Sequence, residues 1–174
     1  MRAPSSTCSD SGRPKPAGLR IAVRPRGFSD WPALLCLLRA SFAYMDGRID
    51  PPSSLACLDL DALQAKAAAE HLIVACNGAV LVGCLFADLR ADCVYLGKLA
   101  VVAAARRRGV ARALIDAAET LAREHGRGAL ELQTRVELTE NHVTFAALGF
   151  VKVAATAHPG YTRATSITMR RPVG

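Results

Sequence analysis

"VVAAARRRGVARAL", residues 101–114, sets Arg106, Arg107 and Arg108 directly before Gly109 and the start of a helical pattern. A helix N-terminus already carries roughly half a positive charge, and each exposed cation placed there costs about 0.3–1 kcal/mol. Several side by side ask for an anion among them. Upstream, residues 93–102 read as a strand; downstream, Val110, Ala113, Leu114, Ala117, Ala118 and Leu121 make one apolar stripe at helical spacing. Strand, short Arg/Gly turn and helix together aim backbone N–H groups at whatever lies beyond the strand's end, which is how proteins cradle phosphate. Gly109 would let the backbone approach a ligand with no Cβ in the way. A solvated basic patch beside an ordinary turn is the plainer alternative. The stretch is not a Walker loop, and Gly-x-Gly-x-x-Gly is absent too.

The bulk numbers agree with an anionic ligand. The chain has 174 residues, 51% of them hydrophobic, enough for one core and a single domain. Its net charge of +7 and pI near 9.4 favour nucleic acid, an anionic membrane surface or a phosphorylated small molecule. Aromatic residues are only 5% and do not interleave with the basic ones, which disfavours specific nucleic-acid binding. The six cysteines, at 8, 36, 57, 76, 84 and 93, show no Cys-x-x-Cys pair and no His-rich partner segment, so no metal site is expected. Cys76, Cys84 and Cys93 fall in apolar runs and read as reduced core thiols of a cytoplasmic protein. Residues 1–18 are rich in Ser, Pro and Gly, lack the apolar segment of a signal peptide and read as a disordered leader; residues 19–174 read as the folded domain. Residues 72–87, "LIVACNGAVLVGCLFA", fall short of the ~20 residues of a membrane span. Asn77-Gly78 breaks the run with a strong hairpin signal, so no membrane partner is expected.

Along the chain, a first strand starts at Leu19 and ends at Pro25. A helix over 29–45 opens with Ser29 or Asp30 as N-cap and Pro32 in its first turn, carrying Trp31, Leu34, Leu35, Leu38 and Phe42 at helical spacing. The loop "DGRIDPPSS" follows, then a second helix over about 53–70 and strands at 71–76, 79–88 and 93–102. The helix from Val110 carries a Glu119–Arg123 pair at i,i+4 and stops at Gly126. A strand over 129–138, a short helix over 140–148 and strands over 150–157 and 163–171 complete the order β-α-α-β-β-β-α-β-α-β-β. That order predicts an α/β mixed sheet with helices on both faces.

With this order, "YLGKLAVVAAARRRGVARALIDAAETLAREHG" resembles the acyl-CoA-binding core of the GCN5-related N-acetyltransferase (GNAT) family. The family pattern Arg/Gln-x-x-Gly-x-Gly/Ala is met by Arg106-Arg107-Arg108-Gly109-Val110-Ala111, and "ENHVTFAALGF" supplies an Asn followed by Leu-Gly-Phe. The resemblance covers residues 19–172. It implies the GNAT fold, a central, mostly antiparallel sheet whose one parallel strand pair splays apart. It also implies acetyl-CoA as acyl donor, its pyrophosphate on the amides of residues 106–111 and its pantetheine arm along Leu99, Ala100 and Val101. Asn141 matches a position that contacts the pantetheine, and also reads as a helix N-cap.

The implied reaction is direct attack of an amine, from a small molecule or a protein, on the thioester. The sulfur is often protonated by a Tyr four residues before the Gly of Leu-Gly-Phe, and here that position is Phe145, which has no proton to give. Tyr161 in "HPGYTR" is the first substitute, with His158 and His142 as weaker ones. Tyr44 and Asp46 lie where relatives line the acceptor site, and Glu131 and Tyr95 lie on the strands flanking the slot. The alternative reading is a non-catalytic acyl-CoA-binding module, as a monomer or homodimer. Deleting residues 1–17 is expected to leave the melting temperature unchanged, since that segment offers little apolar surface to bury. A marked fall on truncation would show that it packs on the domain.

Overall fold

Residues 72–76, Leu-Ile-Val-Ala-Cys, are apolar without a break, and a strand of that kind must be covered on both faces. The computed structural model describes residues 18–174; the leader assigned to 1–18 lies, apart from Gly18, outside them. Strands β1 (Leu19–Val23), β2 (His71–Asn77), β3 (Val80–Leu89), β4 (Cys93–Val101), β5 (Ala129–Arg135), β6 (Val151–Thr156) and β7 (Ser166–Pro172) form a seven-stranded sheet. Their order is β1-β2-β3-β4-β5-β7-β6. β4 and β5 run parallel, and the other neighbouring pairs are antiparallel. Four helices complete the fold: α1 (Trp31–Phe42), α2 (Leu60–Ala69), α3 (Val110–Glu124) and α4 (Thr139–Ala147). No helix among the described residues is long and apolar enough to cross a membrane.

Alternation along the strands feeds two cores. Ile73, Ala75, Leu85, Ala87, Val94 and Leu130 point to α3, meeting Leu114, Ile115, Ala118 and Leu121. Leu72, Val74, Cys84 and Phe86 point the other way and meet Leu34 and Leu38 of α1 and Leu63 of α2. Each fully buried Val, Leu, Ile or Phe side chain here contributes about 1.5–3 kcal/mol. A third, smaller cluster joins Met45 and Ile49, in the segment after α1, to Leu138 just before α4. This last cluster anchors the α1–α2 connection to the far half of the sheet.

The structure shifts several boundaries for local reasons. The helix expected over 29–45 is α1 followed by a 3-10 turn at Ala43–Met45, and Asp30 is its N-cap without a side-chain bond. The helix expected over 53–70 is two pieces. Ser53 caps a 3-10 turn over Ser54–Cys57, and Asp59 starts α2 by accepting the Ala62 N–H at 2.8 Å. The hairpin turns on Gly78-Ala79 rather than Asn77-Gly78, with Gly78 at φ +61° in the position a type II′ turn requires. Gly126 ends α3 as expected: the Arg127 N–H returns to the Ala122 carbonyl at 2.8 Å.

Cys36, Cys57, Cys76, Cys84 and Cys93 are free; Cys84 and Cys93 are buried, and burial pushes the Cys84 thiol up to about 12. Gly83 is what lets α3 sit against the sheet. A Cβ there would meet the Ala100 carbonyl oxygen at 3.0 Å, Val110 Cγ1 at 3.1 Å and Leu114 Cδ1 at 3.2 Å. Gly83→Ala is therefore expected to lower stability by about 1–3 kcal/mol, as overpacking does, read by urea denaturation. An unchanged midpoint would mean that the start of α3 is not seated as described.

Candidate active site

A parallel strand pair is bonded only as far as its register holds. β4 and β5 pair from Cys93 opposite Ala129 to Leu96 opposite Leu132 and then part. β4 continues through residues 97–101 bonded only to β3, and β5 through residues 133–135 bonded only to β7. The fork opens a cleft of about 940 Å³. Just past it β4 bulges: Phe86 faces Gly97 and Cys84 faces Ala100, so two residues of β4 oppose one of β3, and Lys98 takes φ +48°. Beyond the bulge the Val102 N–H goes to the Val82 carbonyl, so by alternation the backbone groups of Leu99 and Val101 point into the cleft. Ala100, expected beside them as part of the ligand edge, has its backbone in the β3 ladder opposite Cys84.

The arginine turn forms one end of the cleft. Gly109 is the α3 N-cap at φ +78°, without a side-chain cap, and Arg107 is left-handed too at φ +60°. The first helical bond runs from the Ala113 N–H to the Gly109 carbonyl, so the N–H groups of Val110, Ala111 and Arg112 have no partner within the helix. Arg106, Arg107 and Ala111 line the cleft, and Arg106 Nε donates to the Val101 carbonyl at 3.2 Å. Arg108 and Gly109 are exposed beside the wall, and the Val110 side chain is buried against the sheet, leaving its N–H as its contribution. Among the described residues none of Arg106, Arg107, Arg108 and Arg112 takes part in an ion pair. Arg106 and Arg107 on the wall, beside N–H groups with no partner in the helix, have the chemistry to hold a polyanion.

At the other end the walls come from the segment after α1 and from α4. Asn141 and Phe145, one helical turn apart, both line the cleft, and Phe145 packs edge-on against Phe150 with centroids 6.1 Å apart. Tyr44 reaches across from the 3-10 turn, and its hydroxyl accepts from Asn141 Nδ2 at 2.9 Å. Arg48 pairs with Glu140 at 2.6 Å over the same gap. His158 lines the cleft with Nε2 facing Arg135 Nη1 at 3.3 Å; the arginine can only donate, so the ring proton sits on Nδ1, toward Thr165 Oγ1.

Other expected residues lie elsewhere. Tyr161 is not on the cleft wall: its hydroxyl donates to Asp50 Oδ1 at 2.5 Å, and that bond holds the phenol above its ordinary range. His142 donates Nε2–H to the Arg135 carbonyl at 2.8 Å. Glu131 and Tyr95 face each other below the fork, where Arg90 pairs with the first and stacks 3.8 Å from the ring centre of the second. Asp46 is exposed and off the wall.

Among the wall residues that the sequence does not single out, three stand out. Lys98 lines the cleft at the bulge, and burial, then Lys66, holds its ammonium below the usual lysine range. Gly97 inside a strand is the signal that could have located this bulge. Thr134, 6% exposed, has a buried hydroxyl without a partner among the described residues, just past the fork. Arg135, beside it, donates to the Pro51 carbonyl at 2.9 Å and so ties the α1–α2 connection to β5. No cluster of His, Cys, Asp and Glu among the described residues has the makings of a metal site.

Comparison with known proteins places this architecture. The model of the Acetyltransferase (GNAT) family matches residues 31–150, more than half of the chain. No curated protein matches. Among solved structures, the ribosomal-protein-S18-alanine N-acetyltransferase of Escherichia coli is similar with a TM-score of 0.64 at 16% identity, over 88% of this chain and 94% of that one. A GNAT family acetyltransferase from Elizabethkingia anophelis with acetyl-CoA bound gives 0.66 at 14% identity, over 90% and 99%. One from Staphylococcus aureus Mu50 gives 0.68 at 15% identity, over 90% and 99%. At these identities the likeness is one of fold.

Inorganic pyrophosphate is the simplest probe of the arginine turn. At ten times its Kd it would stabilise the fold by about 1.4 kcal/mol, seen as a rise in Tm. The double variant Arg106→Ala/Arg107→Ala is expected to lose most of that rise, and an undiminished rise would move the anion site elsewhere.

Proposed function

We propose that this chain, which belongs to the Acetyltransferase (GNAT) family, transfers an acetyl group from acetyl-CoA to a primary amine of a small molecule or a protein by direct attack. One observation carries the reading: the fork between β4 and β5 opens a single cleft that runs from the unpaired arginines at α3 to the Tyr44–Asn141 contact. Acetyl-CoA, when bound, supplies a thioester carbonyl for the amine to attack and a thiolate that leaves.

The chain's own residues divide the remaining work. Arg106, Arg107 and Arg108 would neutralise the pyrophosphate, with the free N–H groups of Val110, Ala111 and Arg112 donating to it. Gly109 keeps the approach open, since nothing lies within 4 Å of where its Cβ would stand. The cleft-facing backbone groups of Leu99 and Val101 would take the pantetheine amides as a further strand would. Asn141 and Phe145 wall the arm from the α4 side. The amine would arrive at the end of the cleft that Tyr44, Glu140 and His158 line. Free cysteines, two of them exposed, fit a reducing compartment such as the cytoplasm.

A second reading, a module that binds acyl-CoA without turning it over, is favoured by one observation. Phe145 lines the cleft where a proton donor would stand in the resemblance. Free-thiol release from acetyl-CoA over a panel of small amines and peptide N-termini separates the two: transfer predicts release with at least one amine, the module none.

Gly109→Glu puts a carboxylate into the proposed pyrophosphate site. It is expected to weaken acetyl-CoA binding at least about tenfold, the scale of one lost charge-assisted contact. Gly109→Asn tolerates the left-handed backbone and adds no charge, so it should weaken binding less. Equal affinities for the parent and Gly109→Glu by calorimetry would remove the pyrophosphate from this turn.

A further inference from the structure

We propose that the Tyr44 hydroxyl protonates the departing sulfur of coenzyme A, supplying the proton that Phe145 cannot; this rests on the acetyl transfer proposed above. One phenol, Tyr44, belongs to the α1–α2 connection and another, Tyr161, contacts it at Asp50, and their hydrogen bonds run in opposite senses. Tyr161 faces a carboxylate of Asp50, which only accepts, so its O–H proton is committed. Tyr44 faces the Asn141 amide nitrogen at 2.9 Å, which only donates, so the phenol oxygen accepts and its own proton stays free. Of the two, only Tyr44 lines the cleft.

Its position suits the task. Asn141 and Phe145 are an i,i+4 pair on the cleft-facing side of α4, so the Tyr44 hydroxyl meets the helix one turn from the residue that lacks one. The 3-10 turn carrying Tyr44 is fixed by Met45 and Ile49 packed on Leu138 and by the Arg48–Glu140 pair. The oxygen left after transfer keeps the Asn141 amide as a donor, and the Arg48 guanidinium, paired with Glu140, lies 5.6 Å from the ring centre. The step balances. The amine nitrogen bonds to the carbonyl carbon, the C–S bond breaks with its electrons on sulfur, and the Tyr44 proton converts thiolate to thiol. The proton shed by the nitrogen returns through water to the phenolate.

Tyr44→Phe, checked for a parent-like melt, is expected to lower kcat at least about tenfold, the low side of what placed proton donors contribute. KM for acetyl-CoA should stay within about twofold, the pattern of an interaction made mainly in the transition state. Phe145→Tyr should restore part of kcat in the Tyr44→Phe background. Asn141→Asp, which turns the phenol into a donor toward a carboxylate, should lower kcat as well. A binding readout is independent of turnover. By calorimetry at pH 9, the parent's preference for coenzyme A over desulfo-coenzyme A should fall at least about threefold in Tyr44→Phe, the scale of one hydrogen bond. A Tyr44→Phe protein with parental kcat and parental preference overturns the assignment while leaving acetyl transfer standing. A parent protein that releases no thiol with any amine overturns acetyl transfer, and the assignment with it.

Discussion

The parting of β4 and β5 after Leu96 and Leu132 governs the rest of the molecule. Backbone N–H and C=O groups in a sheet interior need partners, and one that loses its neighbouring strand must find another. β5 keeps β7 along its other edge and β4 keeps β3, so each strand survives the fork on one side alone. The remaining edges face each other across the cleft, and the bulge at Lys98 sets which β4 groups present themselves there. A ligand with amides of its own can take the place of the missing neighbour.

Charge makes the same demand at the end of the cleft. The start of α3 combines unbonded N–H groups with arginines that have no carboxylate partners among the described residues, an arrangement that opposes the helix dipole. It is tolerated because α3 is held elsewhere. Leu114, Ile115, Ala118 and Leu121 bury one face against the sheet, and Glu119 near its end pairs with Arg171 at 2.6 Å. Packing fixes the helix, so its N-terminus is free to be poor in local electrostatics and good for an anion.

Much of this was legible from residue order because the signals are local. Period and turn chemistry located the hairpin, the α3 stripe, the Gly126 stop and the Arg/Gly turn, and the element order pointed to the mixed sheet that the structure has. The second helix is shorter than its pattern predicts because Asp59, a strong N-cap, sits inside an otherwise helical run. The Ala100 backbone could not be assigned without the Lys98 bulge, which shifts the alternation by one residue. Least legible was the far wall of the cleft. Tyr44 meets Asn141 across 97 residues of chain, and Tyr161 meets Asp50 across 111, and no spacing rule reports such contacts. Which phenol faces the cleft therefore depended on tertiary structure.

A ligand bound in the cleft completes the sheet edge and the helix start together. Amide hydrogen exchange with and without saturating acetyl-CoA tests it residue by residue. Slowed exchange is expected at Leu99 and Val101 and at Val110, Ala111 and Arg112, with the β1–β2 ladder unchanged. Saturated binding that leaves those amides exchanging as before, or that protects only amides away from the fork, would contradict it.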